Sequence, residues 1–213
     1  MKITFYCFTA CLCLFSGASV SGKAADVDNI IAGGTFDKHN GRGLPEGPPW
    51  AWKVSGSKDL KIEFSKTEKS YGDSALHLKD TNRGKFNDGL TWMMAGKRVA
   101  QWRGKSLQLS CMIKQVKAFK SRSVGIGYWL KCRDGKVLSG YAGPDIAGET
   151  IWKKYELTVN FPQNAETFLV FLHCSNGWGN DGEAYFDNLQ LTPLVSASVK
   201  SEAKGIDFGA LDL

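Results

Sequence analysis

Residues 151–162 read I-W-K-K-Y-E-L-T-V-N-F-P, residues 167–174 read T-F-L-V-F-L-H-C, and residues 184–192 read A-Y-F-D-N-L-Q-L-T. All three runs are rich in strand-forming residues, and turn-forming residues separate them. In the first run, apolar side chains alternate with polar ones until a proline ends the run. A period of two is typical of a strand with one buried and one exposed face. The stretch therefore predicts three consecutive β-strands.

The same alternation recurs upstream and extends the prediction to most of the chain. It is most regular in residues 106–114 and 123–131. Shorter runs of the same kind cover residues 50–56, 60–64, 74–79, 89–94 and 137–141. Turn-forming residues recur about every ten positions, and no segment shows the periodicity of an amphipathic helix. The pattern predicts an all-β fold, an antiparallel β-sandwich of the jelly-roll type.

Length and composition limit the function classes. The chain has 213 residues, which suits one sandwich domain, and 43% of them are hydrophobic, which is enough for a sizeable core. The net charge is +6, but basic residues are interleaved with acidic ones and no basic run occurs. The charge pattern therefore argues against nucleic acid as a partner.

The N-terminal residues have the pattern of a secretory signal peptide. A lysine follows the initiator methionine, an apolar run extends to residue 15, and small residues follow up to residue 25. We therefore predict a signal peptide at 1–25, a sandwich domain at 26–194 and a flexible tail at 195–213. This implies a secreted or extracytoplasmic protein with no membrane span after cleavage. An N-terminal membrane anchor and a lipoprotein at Cys11 are the alternatives.

The cysteine pattern limits disulfide and metal chemistry. Three of the six cysteines fall in the predicted signal peptide, and the others are Cys111, Cys132 and Cys174. An odd number allows at most one disulfide among them. No C-x-x-C pair occurs, which argues against a structural zinc site.

Four blocks of sequence resemble a known family. G-G-T-F-D begins at residue 33 and precedes a proline-rich loop and a tryptophan, and S-Y-G-D-S-A-L-H-L begins at residue 70. W-R-G-K-S-L-Q-L-S-C-M-I-K begins at residue 102, and the three runs quoted above close the series. In this order the blocks resemble carbohydrate-binding modules with a galactose-binding-like jelly-roll fold (the family 4, 9 and 22 type), which are attached to xylanases and cellulases. The resemblance spans residues 29–193.

The resemblance implies a structural Ca²⁺ ion that joins the first and last strands. Asp37 and Asp187 are the residues at the matching positions, although the family usually has glutamate where this chain has Asp37. Asp187 also attracts attention by itself, because a carboxylate inside an apolar strand is costly unless it is paired. The alternative is that Asp187 lies at a sheet edge or caps a turn.

Four aromatic residues are candidates for stacking on a sugar ring: Trp129, Trp178, Trp92 and Tyr141. Sugar rings have an apolar face that stacks on an aromatic ring. Trp129 occupies the polar-side face of its predicted strand beside Gly125 and Gly127, which we expect to leave its ring uncovered. Trp178 lies in a loop rich in Gly, Asn and Asp. The alternative is that these tryptophans fill the core, and for Trp92 the core is the favoured interpretation.

Polar partners for sugar hydroxyls are predicted among Gln108, Lys131 and Arg133, with His77 and Asn176 as further candidates. For each of them, a solvated surface role is the alternative. The leading hypothesis is a secreted, non-catalytic module that binds a poly- or oligosaccharide.

Two other function classes stay open. One is an adhesion or interaction module with a protein partner in the cell envelope. The other is a small jelly-roll polysaccharide lyase or glycosidase. No nucleophile-elbow, zinc-protease or phosphate-binding motif occurs. A lyase could use Tyr128 or Tyr141 with His77 or His173, and a glycosidase could use two of the carboxylates Asp88, Asp145, Glu149 and Glu183. No spacing enforces either arrangement, so the protein is predicted not to be an enzyme.

Overall fold

The computed structural model describes residues 29–55, 60–80, 89–117, 124–144, 150–174 and 182–194. The predicted signal peptide and tail lie outside these residues and stay predictions. The described elements are β1 (Trp52–Ser55), β2 (Leu60–Ser65), β3 (Ala75–Asp80), β4 (Gly89–Ala95), α1 (Lys97–Ala100), β5 (Ser106–Lys117), β6 (Gly125–Cys132), β7 (Val137–Ala142), β8 (Lys153–Asn160), β9 (Ala165–His173) and β10 (Gly182–Pro193). Every predicted run corresponds to one strand, so the all-β prediction is confirmed.

The ten strands form two antiparallel sheets of five. The first sheet has the order β1-β4-β9-β6-β7, and the second has the order β2-β3-β10-β5-β8. Most consecutive strands lie in different sheets, and only the pairs β2–β3 and β6–β7 are neighbours in both sequence and space. β9 is the central strand of the first sheet and β10 is the central strand of the second. This is the predicted jelly-roll sandwich.

The core lies between the sheets and is built by the alternation seen in the sequence. The side chains predicted to point inward from β5 are fully buried: Leu107, Leu109, Cys111 and Ile113. The inward side chains of β9 are also buried: Phe168, Val170 and Leu172. All three cysteines outside the predicted signal peptide are buried and form no disulfide.

The alternation of β10 changes phase at a bulge. Phe186 and Leu189 are both fully buried although three positions separate them. The register with β5 shifts between Asp187 and Gln190, and Asn188 has a positive φ of 49°. A bulge adds one residue to a strand and turns its side chains to the other face. Here the bulge follows Asp187, which has no exposed surface.

The N-terminal segment runs beside β10 without forming a strand. Ile30 N donates to the carbonyl of Leu191, and Leu189 N donates to the carbonyl of Gly34. A Cβ on Gly34 would lie 2.1 Å from the Leu189 carbonyl oxygen, so only glycine fits this approach. Asp37 follows in an irregular turn. The prediction that Asp37 belongs to a first strand is therefore wrong.

Candidate functional site

The outer face of the first sheet brings the two predicted residues Trp129 and Tyr141 together. Trp129 on β6 lies opposite Leu169 on β9 and opposite Ser139 on β7. One row along the sheet, Gly127 lies opposite Phe171 and Tyr141. Adjacent strands are about 4.8 Å apart and rows on one face are about 6.7 Å apart. The side chains on these two rows therefore share one surface.

Four rings on this face form a connected series. The ring centroids of Trp129 and Phe171 are 5.4 Å apart with the planes tilted by 53°. Phe171 and His173 stack at 5.5 Å, and His173 and Tyr141 stack at 5.2 Å. These separations lie in the range of favourable aromatic pairs. We call Trp129, Phe171, His173 and Tyr141 the aromatic platform.

The glycines of β6 make room for the platform. A Cβ on Gly127 would lie 2.2 Å from the Phe171 ring, and a Cβ on Gly125 would lie 2.6 Å from the Tyr141 hydroxyl oxygen. Trp129 is exposed as predicted, but the predicted cause is wrong, because these glycines do not leave open space beside it. The space above them is filled by the rings of Phe171 and Tyr141, which lie flat against the strand.

Replacing one glycine displaces a ring without removing it. In Gly127→Ala, the new methyl group would lie 2.2 Å from the Phe171 ring and 2.8 Å from the Gly140 carbonyl oxygen, so Phe171 moves, β6 and β7 shift slightly, and the contact with Trp129 is lost. We expect ligand binding to weaken several-fold while secondary structure measured by circular dichroism is unchanged. Gly41→Ala is the control, because a Cβ there meets open space and the residue has no positive φ. Equal binding by Gly127→Ala and wild type would contradict this role of Phe171.

The platform is rigid at one end and accessible at the other. The Tyr141 hydroxyl donates a 2.6 Å hydrogen bond to the Val124 carbonyl, which fixes that ring against the sheet. His173 is only 6% exposed beneath its neighbours, whereas Trp129 is 49% exposed. Other apolar side chains are equally exposed, but Trp129 continues a connected series of rings, and a contiguous exposed apolar patch indicates a contact surface.

Two of the predicted polar partners accompany Trp129. Lys131 follows it on the same face of β6, and Arg133 follows in the turn toward β7; both are exposed. The prediction is wrong in placing Gln108 at the same site, because it belongs to β5 in the second sheet. His77 belongs to β3 in the second sheet and is likewise separate from the platform.

The structure corrects the aromatic set as well. Trp92 is only 3% exposed and points into the core from β4, so the prediction that it contacts ligand is wrong. Trp92 lies opposite Trp52 and Val170, and this pairing determines which face of β4 carries its side chain. The sequence alone did not determine that face. Trp178 and Asn176 lie outside the described residues.

Phe171 was not predicted as a site residue, and His173 was considered only as a partner of a tyrosine in a lyase. The signal was present in β9, where residues 168–173 are all apolar or aromatic rather than alternating with polar ones. A strand that is apolar on both sides is covered on both sides. In this chain the second side is covered by the platform rings themselves.

Asp187 anchors the loop between β2 and β3. Its Oδ2 accepts hydrogen bonds from Ser70 N (2.8 Å), Ser70 Oγ (3.1 Å) and Tyr71 N (2.7 Å), and its Oδ1 accepts one from Asn188 N (2.7 Å). Burial raises the pKa of the Asp187 carboxyl above its ordinary value, and the hydrogen bonds act in the opposite direction. The charged carboxylate is thus stabilised by four protein donors.

Asp37 holds the next part of the same loop. Its Oδ1 accepts from Asp73 N and from Ser74 N (3.0 Å), while Ser74 Oγ donates to the Phe36 carbonyl (2.6 Å). Gly72 has a φ of 60°, and a Cβ there would collide with the carboxylate. The two predicted metal ligands, Asp37 and Asp187, therefore both accept hydrogen bonds from the loop of residues 70–74.

These donors bear on the calcium prediction. Ca²⁺ takes six to eight oxygen ligands, but Oδ2 of Asp187 faces three N–H or O–H hydrogens, which carry partial positive charge. In the part of the chain described, no group of three or more His, Cys, Asp or Glu side chains is placed to hold a metal ion. The hydrogen bonds do not fit a cation at Oδ2, and calcium at Asp37 and Asp187 stays a prediction.

Of the candidates for catalysis, Tyr141 and His173 are brought together, with ring centroids 5.2 Å apart, but the Tyr141 hydroxyl donates to the Val124 carbonyl. Glu183 binds His77 at 2.9 Å and Lys79 at 2.9 Å in a surface network on the second sheet. Tyr128 faces the inner side, where its ring covers Gly140, and burial raises the pKa of its hydroxyl. Asp88, Asp145 and Glu149 lie outside the described residues. Among residues that are described, no helix is long and apolar enough to cross a bilayer.

No family model matches the chain, and no curated protein matches its sequence. Solved structures do match. A xylan-binding domain of carbohydrate-binding module family 22 is 14% identical, with a TM-score of 0.54 over 79% of this chain and 97% of the other. The tandem family 22 modules of Paenibacillus barcinonensis Xyn10C are 14% identical, with a TM-score of 0.51 over 71% of this chain and 44% of theirs.

A third match is to an enzyme. The enzymatically active domain of tailspike protein 4 from bacteriophage CBA120 is 11% identical, with a TM-score of 0.51 over 79% of this chain and 22% of that one. The chain thus spans less than half of the tandem modules and of the tailspike domain. Likeness at this level of identity concerns the fold, which hosts many functions. The fold of this chain is the two-sheet jelly roll that is found in carbohydrate-binding modules.

Proposed function

We propose that the protein binds a poly- or oligosaccharide on the aromatic platform and does not cleave it. The observation that carries the proposal is the half-exposed Trp129, which lies at the accessible end of four connected rings. The apolar face of a sugar ring stacks on such a ring, and exposed polar side chains beside it bond to the hydroxyls. The likeness in fold to a xylan-binding domain supports the same class of ligand.

The proposal includes a secreted location, which follows from the sequence pattern of residues 1–25. It assigns no catalytic residue. Among the described residues, the first sheet carries one carboxylate, Glu166, and the other acidic side chains lie on the second sheet or in loops. The platform offers apolar contact and cations but no pair of carboxylates that could act as acid and base.

The purified protein is run through native gels that contain soluble xylan, hydroxyethylcellulose, mixed-linkage β-glucan, polygalacturonate or alginate. We expect at least one polysaccharide to retard the protein, and short oligosaccharides of the same sugar to reverse the effect. Incubation with that polysaccharide should release no new reducing ends and no ultraviolet-absorbing product. Unchanged mobility in every gel contradicts the proposal, and released product replaces it with the lyase or glycosidase hypothesis.

A further inference from the structure

The first sheet has an unusual balance of charge. Its five strands contain one carboxylate, Glu166, which is exposed in the β9 bulge that faces Lys131 and Cys132 on β6. They contain two lysines, Lys53 on β1 and Lys131 on β6, and both are exposed. On the outer face, Lys53 shares a row with Thr91, Phe171 and Gly127. The positions between these lysines are apolar, aromatic or hydroxyl-bearing.

The second sheet shows the contrast. Its lysines pair with carboxylates: Lys79 with Glu183 at 2.9 Å and Lys154 with Glu156 at 2.6 Å. Lys53 and Lys131 have no ion pair within the residues described. Two cations that the protein itself does not neutralise therefore border the platform, one on each side of it.

The β6–β7 turn adds to this positive edge. Arg133 and Lys136 are both exposed there, and the one carboxylate of the turn, Asp134, is hydrogen-bonded to two uncharged donors. Its Oδ1 accepts from Lys136 N at 3.1 Å and its Oδ2 accepts from Asn164 Nδ2 at 3.0 Å. Arg133 has no ion pair with Asp134 or with any other described residue. A row of cations thus continues from Trp129 along Lys131 to Arg133.

A neutral sugar needs hydrogen-bond donors and acceptors but no net charge, whereas a charged ligand gains from a surface of one sign. We propose that the platform binds an anionic polysaccharide, with a sugar ring stacked on Trp129 and carboxylate or sulfate groups paired with Lys131, Arg133 and Lys53. The inference rests on the proposed carbohydrate-binding function and names the charge of its ligand. The guanidinium of Arg133 suits either anion, because its planar fork matches both carboxylate and oxyanion geometry.

The test compares five polysaccharides in affinity gels at low and at high salt. Polygalacturonate and alginate carry carboxylates, dextran sulfate carries sulfates, and xylan stripped of uronic acids and hydroxyethylcellulose are neutral. We expect the anionic gels to retain the protein more strongly, and retention to fall several-fold between about 20 mM and 300 mM NaCl, because salt screens exposed charges. The two kinds of anionic gel decide between carboxylate and sulfate.

Charge variants separate a specific contact from a general effect of net charge. Lys131→Gln should weaken binding roughly two- to fivefold at low salt, since exposed ion pairs have this magnitude, and the Lys131→Gln/Arg133→Gln double variant should weaken it further. Lys131→Arg should bind like wild type. Lys61→Gln removes the same charge from the second sheet and should have no effect.

Each outcome decides one question. Retention by neutral gels as strong as by anionic ones, with no response to salt, overturns the charge inference and leaves the carbohydrate function standing. Equal losses in Lys131→Gln and Lys61→Gln also overturn it. Failure of all five gels, and of the short oligosaccharides, overturns the proposed function itself.

Discussion

Trp129→Ala is expected to abolish retention of the protein on the polysaccharide that holds the wild type. The half-exposed indole is the most accessible ring of the platform, and its removal leaves no large apolar surface for a sugar ring at that end. Buried aromatic anchors account for most of the binding energy in many interfaces. We expect affinity to fall at least tenfold, which corresponds to about 1.4 kcal/mol. Isothermal titration with the retarding oligosaccharide measures the change.

The stability of the fold should respond much less. Trp129 points away from the core, so the free energy of unfolding should change by about 1 kcal/mol or less in urea titrations. Trp129→Phe keeps an aromatic face and should keep part of the affinity. Ile151→Ala is the matched control, because it removes another exposed apolar side chain far from β6 in sequence. If Trp129→Ala binds as tightly as wild type, the platform is not the binding surface.

Asp187→Ala is expected to give the largest loss of stability. The substitution leaves four hydrogen-bond donors around a site with no exposed surface, two from Ser70 and one each from Tyr71 and Asn188. A buried donor without a partner costs about 1–3 kcal/mol. Because the loop can rearrange and admit water, we expect a total loss on the order of 3 kcal/mol, seen as a lower urea midpoint. Asp187→Asn keeps one carbonyl oxygen and should lose less.

A surface carboxylate provides the control for this variant. Glu156 forms an exposed pair with Lys154, and Glu156→Ala should change stability by less than about 1 kcal/mol. Equal losses in the two variants would mean that the hydrogen bonds of Asp187 do not anchor the loop. The same experiment tests calcium. A Ca²⁺-dependent rise in the melting temperature of chelated wild type, absent in Asp187→Ala, supports a bound ion, and no response to Ca²⁺ in wild type excludes it.

The strands were predictable because half-buried strands follow a local rule. The inward set of β5, such as Leu107 and Leu109, is visible in the sequence as every second residue. The bulge in β10 was not visible, because Asp187 and Asn188 shift phase only through contacts with β5 and with the N-terminal segment. Burial of Asp187 without an ion partner depends on backbone N–H groups more than one hundred residues earlier.

A site residue was predictable only where the pattern of its own strand determines which face its side chain occupies. Trp129 could be assigned to the outer face because β6 alternates regularly around it. Phe171 and His173 belong to a strand whose two faces are both apolar, so their exposure depends on which strands flank β9. For Gln108, the alternation assigns the correct face of β5. The sequence does not show that β5 and β6 lie in different sheets, so Gln108 was wrongly grouped with Trp129.

The positions of β9 and β10 determine when this chain can fold on the ribosome. Each is the middle strand of its sheet, and both come from the last third of the described chain. Until β9 has left the exit tunnel, the first sheet consists of two separate pairs, β1–β4 and β6–β7, and until β10 follows, the second sheet has a gap between β3 and β5. Such open edges readily pair with other chains. A nascent or truncated chain that ends before β9 is therefore expected to need protection from aggregation until both central strands are present.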